Sequence, residues 1–164
     1  AYAGAGVEAP LVMVSSLAWL SDAELRLLQP YAKEPAAPAP LAAKLRRLDY
    51  LPRRDLNRLI RGARAVLFPS VYEGFGLPAA EAMALGAPVM ASRGHALEEV
   101  CGDAALLVDP LDPLDIRAGL KRLDADSGLR RELAARGPRV AARYDRAAQA
   151  KALRAAYDRL VTAA

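Results

Sequence analysis

The chain has 164 residues, 54% of them hydrophobic and 26% charged, with a formal net charge of +4, enough apolar material for one ordinary domain with a full core. Its single cysteine, Cys101, excludes an internal disulfide, and its single histidine, His95, excludes the usual zinc ligand sets. Basic residues, nearly all arginine, are spread among acids rather than gathered in an aromatic-flanked stripe; this argues against a nucleic-acid partner and leaves a weak pull toward anionic ligands or anionic lipid surfaces.

In chain order, the opening segment 1–6 lacks the basic region and apolar core of a secretory signal. Residues 11–14, Leu-Val-Met-Val, read as a buried strand. Ser21 with Glu24 forms a capping box that opens a helix, which Pro30 ends or kinks. Residues 33–40 are rich in proline and alanine and read as a loop. A second strand signal at 45–51 is diluted by Arg46, Arg47 and Asp49. Residues 55–60 have helical spacing, and 65–68 form a strand closed by Pro69. A short helix at 78–85 starts on Pro78 and stops at Gly86. Strands follow at 88–91 and 105–108, with a helical turn at 97–100 between them. From Asp112 onward the pattern is helical, with breaks at 124–127 and at Gly137-Pro138 and a last helix over about 140–161. That last helix is expected to expose an apolar stripe.

Near-continuous apolar strands alternating with helices predict an α/β fold. The expected architecture is a Rossmann-like, doubly wound parallel sheet with extra C-terminal helices. In such sheets ligands sit beyond the carboxyl ends of the strands. The loop 72–77 follows a strand and opens a helix, so it falls in that place. No apolar run is long enough for a membrane span. The expected location is the cytoplasm, including the inner membrane face as a peripheral site.

That loop carries the chemistry. Gly74 and Gly76 lack Cβ atoms, so the backbone can turn sharply and approach a ligand closely. The amides of Gly74, Phe75, Gly76 and Leu77 can point into one concavity at the start of a helix, where the dipole favours an anion such as a phosphate. Glu81, one turn into the helix, suits a vicinal diol such as a ribose. Glu73, across the turn, can accept from a sugar hydroxyl or stabilise positive charge at an anomeric carbon.

The run Pro69-Ser70-x-Tyr72-Glu73-Gly74-Phe75-Gly76-Leu77-Pro78-x-x-Glu81-Ala82-Met83-Ala84-x-Gly86-x-Pro88-Val89 resembles the signature of GT-B glycosyltransferases of family 4, with Glu73 and Glu81 matching its Glu-x7-Glu motif. The likeness extends through residues 100–110, Asp55-Leu56, Gly62-Ala63 and Leu67, and upstream to residues 11–14 and Trp19. The resemblance implies the C-terminal, donor-binding part of a hexosyltransferase acting with retention and without a metal or cofactor. Its donor would be a nucleotide sugar such as GDP-mannose or a UDP-hexose, and its acceptor a glycan or lipid-linked sugar in cell-surface polysaccharide assembly. By the same resemblance Glu73 lies beside the transferred sugar as the catalytic residue. Glu81 holds the donor ribose, and Gly74, Phe75, Gly76 and Leu77 meet the sugar hydroxyls and the diphosphate. Tyr50, Leu51 and Pro52 fall where the family's base pocket begins.

Residues 1–164 thus read as one nucleotide-sugar-binding domain lacking its first strand and the N-terminal acceptor domain. The family places an Arg and a Lys on the missing strand, so turnover is not expected from this polypeptide alone. Ser15 and Ala18 replace glycines usual in the family's turn before Trp19. Asp49 stands where a glycine is common, and either pairs with a purine N–H or is simply exposed. Trp19 is a packing residue or a base-stacking platform. Asp124-Ala125-Asp126 mimics a metal-binding Asp-x-Asp but reads as helix capping. His95 opens a turn, Cys101 is a small buried residue, and Arg130-Arg131 is surface. The alternative function is a non-catalytic nucleotide-sugar-binding remnant or interaction module.

Overall fold

The computed structural model describes residues 1–14 and 45–162. The expected capping box at Ser21, the loop at 33–40, Trp19, Ser15 and Ala18 lie outside these residues. The described elements are α1 (Tyr2–Ala5), β1 (Leu11–Val14), β2 (Leu45–Leu48), α2 (Arg53–Gly62), β3 (Val66–Phe68), α3 (Leu77–Ala84), β4 (Val89–Ser92), α4 (His95–Cys101), β5 (Ala105–Val108), α5 (Pro113–Ala125), α6 (Ser127–Ala141) and α7 (Arg146–Thr162).

All strand pairing among them is parallel. β1 pairs with β2 in register Leu11 to Leu45, and β3–β4–β5 form a second ladder in that order. Successive strand residues point to opposite faces, and each face of the three-stranded ladder has its own core. Val66, Phe68, Val89, Ala91, Ala105 and Leu107 join the cluster built on Ala79, Met83, Leu97, Val100 and Val140. Leu67, Met90, Leu106 and Val108 face the cluster of Ala5, Leu120, Leu123 and Leu133. The ladder is therefore covered by helices on both sides, as the apolar strands require.

Two glycines set how closely these layers approach. A Cβ at Gly119 on α5 would lie 2.8 Å from both Met90 Sδ and Val108 Cγ1. A Cβ at Gly137 on α6 would lie 3.0 Å from the Met83 carbonyl oxygen on α3. Gly137 thus seats one helix on another, and the break expected at Gly137-Pro138 is absent: α6 runs to Ala141 with Pro138 inside it. Burial of Leu133, Gly137, Val140 and Ala141 along one face outweighs the hydrogen bond that proline removes. The chain turns later, through a short 3-10 segment at Ala142–Tyr144. Asp145 then caps α7 by accepting the Ala148 N–H at 2.7 Å. The last helix accordingly starts at Arg146, not near Val140. None of its residues is buried, and Leu153, Tyr157, Leu160 and Val161 form the expected exposed stripe.

The break at 124–127 is present. Asp126 accepts the Leu129 N–H at 2.8 Å and caps α6, while Asp124 pairs with Arg64. The Arg130 guanidinium donates to the carbonyls of Leu123 and Asp124 at 2.5 and 2.7 Å, closing the C-terminal end of α5. Of the Asp-x-Asp, Asp126 thus caps a helix while Asp124 serves as an ion-pair partner, and Arg130, read as surface, is half-buried at the C-terminal end of α5. α1 was not foreshadowed by the sequence; it forms because Ala5 enters the core while Gly4 lies against Arg117.

Candidate donor-binding site

The site begins where β3 stops. Pro69 ends the strand, and the chain passes through Ser70 into the glycine turn. Ser92, buried at the end of β4, donates its hydroxyl to the Ser70 carbonyl at 2.6 Å and lies 3.4 Å from the Phe68 carbonyl. Ser70 in turn donates its own hydroxyl to Glu73 Oε1 at 2.9 Å. The half-buried Glu73 carboxylate is thus tied through Ser70 to the centre of the ladder.

Gly76 is buried with φ +90°, and a Cβ there would sit 2.5 Å from Leu97 Cδ2. Its carbonyl accepts the N–H groups of Ala79 and Ala80 at 3.0 and 3.2 Å, which starts α3. Pro78, lacking an N–H, occupies the first turn where none is needed. The peptide N–H groups of Gly74, Phe75, Gly76 and Leu77 have no acceptor among the described residues. They stand at the positive end of an eight-residue helix. The Phe75 ring packs edge-on against Tyr144, with centroids 5.2 Å apart, so its side chain turns back onto the protein. Tyr72 and Leu77 are exposed. Gly74 has open space where a Cβ would be.

Glu81 is half-exposed, and its Oε1 accepts from Arg53 Nη2 at 2.7 Å. This contact joins α3 to the segment after β2, where Tyr50 is 79% exposed, Leu51 is half-buried and Pro52 caps α2. Asp49 is exposed and lies 3.7 Å from Arg47 Nη2. His95 is exposed with φ +56° at the start of α4, its ring 6.1 Å from that of Tyr72. Burial pushes the Cys101 thiol up to about 11, so it is no nucleophile. Among the described residues no group of three or more His, Cys, Asp or Glu side chains could hold a metal ion. Sequence reasoning missed Arg53 and Ser92, whose roles arise only from contacts across the fold, and gave Ser70 no role beyond its place in the signature, although its partner Glu73 lies three residues on.

The family model for glycosyl transferases group 1 matches residues 29–140. The chain belongs to that family. The O-antigen chain mannosyltransferase B of Escherichia coli is 38% identical over 128 residues, covering 78% of this chain and 32% of that protein. The MMP alpha-(1->4)-mannosyltransferase of Mycolicibacterium hassiacum is 48% identical over 81 residues, 47% of this chain and 20% of that protein. Sucrose-phosphate synthase from Thermosynechococcus elongatus superposes with a TM-score of 0.78 at 29% identity, over 99% of this chain and 41% of that one. The chain therefore has the fold of GT-B glycosyltransferases and spans about a third of the length of the E. coli relative. No helix among the described residues is long and apolar enough to cross a membrane.

Proposed function

We propose that this chain is the donor-binding part of a hexosyltransferase that moves a sugar from a nucleotide sugar to a glycan or lipid-linked acceptor with retention and without a metal. The observation that carries the reading is the open loop itself. Four peptide N–H groups lie without acceptors among the described residues at the start of α3, in the stretch between two carboxylates, Glu73 and Glu81. The amides of Gly74, Phe75, Gly76 and Leu77 receive the diphosphate and sugar hydroxyls. Glu81 accepts from the ribose diol, with Tyr50 and Leu51 beside the base. Glu73, held by Ser70, lies against the anomeric carbon and stabilises positive charge there as the leaving diphosphate departs.

The mannosyltransferases among the relatives support a mannosyl donor such as GDP-mannose, and the O-antigen mannosyltransferase supports a role in cell-surface polysaccharide assembly. Among the described residues the two parallel ladders are not paired with each other, which is compatible with a further strand between β1 and β3. An acceptor domain would face the open loop, and the exposed stripe of α7 would pack against it. On this reading turnover requires those parts.

Calorimetric titration with GDP and UDP tests the site. Glu81→Ala should weaken binding by about 1–3 kcal/mol, the cost of losing hydrogen bonds to a charged acceptor. Equal affinity in the two proteins would remove the ribose role.

A further inference from the structure

Arg53 opens α2 directly after the Tyr50–Leu51–Pro52 segment, and Glu81 lies one turn inside α3. The two are 28 positions apart in sequence, yet Nη2 and Oε1 meet at 2.7 Å. Their side chains are 67% and 39% exposed, and ion pairs that open to water add little stability. Folding energy therefore gives no account of the pair. Its place does, since it links the stretch beside Tyr50 to a carboxylate one turn into the helix that the glycine turn opens.

We propose that Arg53 is a positioning residue for ribose recognition, fixing the Glu81 carboxylate so that it meets the diol already oriented. This rests on the reading of Glu81 as the ribose acceptor. A carboxylate has about four acceptor positions. Arg53 occupies one on Oε1, and those left on Oε1 and Oε2 suffice for two hydroxyls. A free glutamate side chain would have to surrender its rotamer freedom on binding, and a held one has already done so. A charge-assisted bond from a planar guanidinium also fixes direction, which a lysine ammonium does less well.

The test is calorimetric titration of the full chain and its variants with GDP and UDP and with their 2′,3′-dideoxy counterparts. Arg53→Met and Glu81→Gln should each weaken ribonucleotide binding by roughly three- to tenfold and leave the dideoxy compounds unaffected. The double variant should be no weaker than Glu81→Gln alone, because Arg53 acts only through Glu81. Arg53→Lys should recover part of the loss. Thermal melts of each variant verify folding.

If Glu81→Gln shows the ribose effect and Arg53→Met does not, the positioning role falls while the ribose site stands. The positioning role falls likewise if Arg53→Met weakens ribo and dideoxy ligands equally, or tightens binding by freeing Glu81. If Glu81→Gln has no effect, the ribose site falls and the role of Arg53 with it.

Discussion

The Ser92 hydroxyl, buried at the end of β4, sits 2.6 Å from the Ser70 carbonyl oxygen, and through this bond the middle strand of the ladder fixes the start of the glycine loop. Ser92→Ala nearly keeps the size but removes the donor from the Ser70 and Phe68 carbonyls. Urea unfolding should show a loss of about 1–3 kcal/mol, the cost of a buried acceptor left unpaired. Ser70→Ala should leave stability nearly unchanged, because among the described residues its hydroxyl serves only Glu73. In an assembly capable of turnover it should lower kcat by about tenfold or more, as expected when a reacting group loses its orientation.

The two glycines of the loop should respond differently to alanine. At Gly76 the backbone has φ +90° and a Cβ would fall 2.5 Å from Leu97 Cδ2, so Gly76→Ala combines backbone strain with a clash. Its expected cost is about 1–3 kcal/mol in denaturant unfolding. At Gly74 a Cβ meets nothing within 4 Å and φ is not positive. Gly74→Ala should fold with stability changed by less than about 1 kcal/mol. If a diphosphate lies against that peptide, the same variant should bind GDP or UDP at least about tenfold more weakly, since the methyl group occupies the ligand's approach.

Gly137→Ala sets two effects against each other. Alanine is favoured over glycine inside a helix by about 1 kcal/mol. The new methyl would stand 3.0 Å from the Met83 carbonyl oxygen and 3.2 Å from its Cα, both backbone atoms of a buried helix that cannot swing aside. Overpacking of this kind costs about 1–3 kcal/mol, so the net change should be destabilising. A rise in the urea midpoint would mean that α3 and α6 separate without cost.

Burial raises the Cys101 thiol from 9.0 to about 11. As pH rises, the unfolded chain loses this proton first, so the folded state binds more protons and stability falls between the two values. The slope should reach about 1.4 kcal/mol per pH unit in that window. Cys101→Ala removes the ionisation, so its urea midpoint should decline less than the parent's from neutral pH to about pH 10. Identical declines would show that the thiol titrates alike in both states.

Much of this architecture was legible from residue order because its signals are local. Val89-Met90-Ala91 is apolar on both faces, as a strand covered on both sides requires, and Pro78 and Gly86 mark the ends of one short helix. The proline at 138 misled, because a rule about isolated helices cannot register that Gly137 lets the Met83 backbone come close. The Tyr2–Ala5 helix was hidden because its reason for forming is the distant packing of Ala5. The same limit applied at the loop. Glu73 and Glu81 stood out by their spacing, whereas Arg53 and Ser92 reach the site only through the fold and leave no periodic trace.

Protection against amide hydrogen exchange should vary steeply along this chain. The helix at Arg146–Thr162 buries none of its residues, so it can open without disturbing anything beneath it, and its peptide protons should be among the first to exchange. Those of Ala79, Ala82 and Met83 lie within the main core and must await unfolding of the whole domain. Among the described elements, a protease added to the native protein should accordingly cut the carboxyl-terminal helix first.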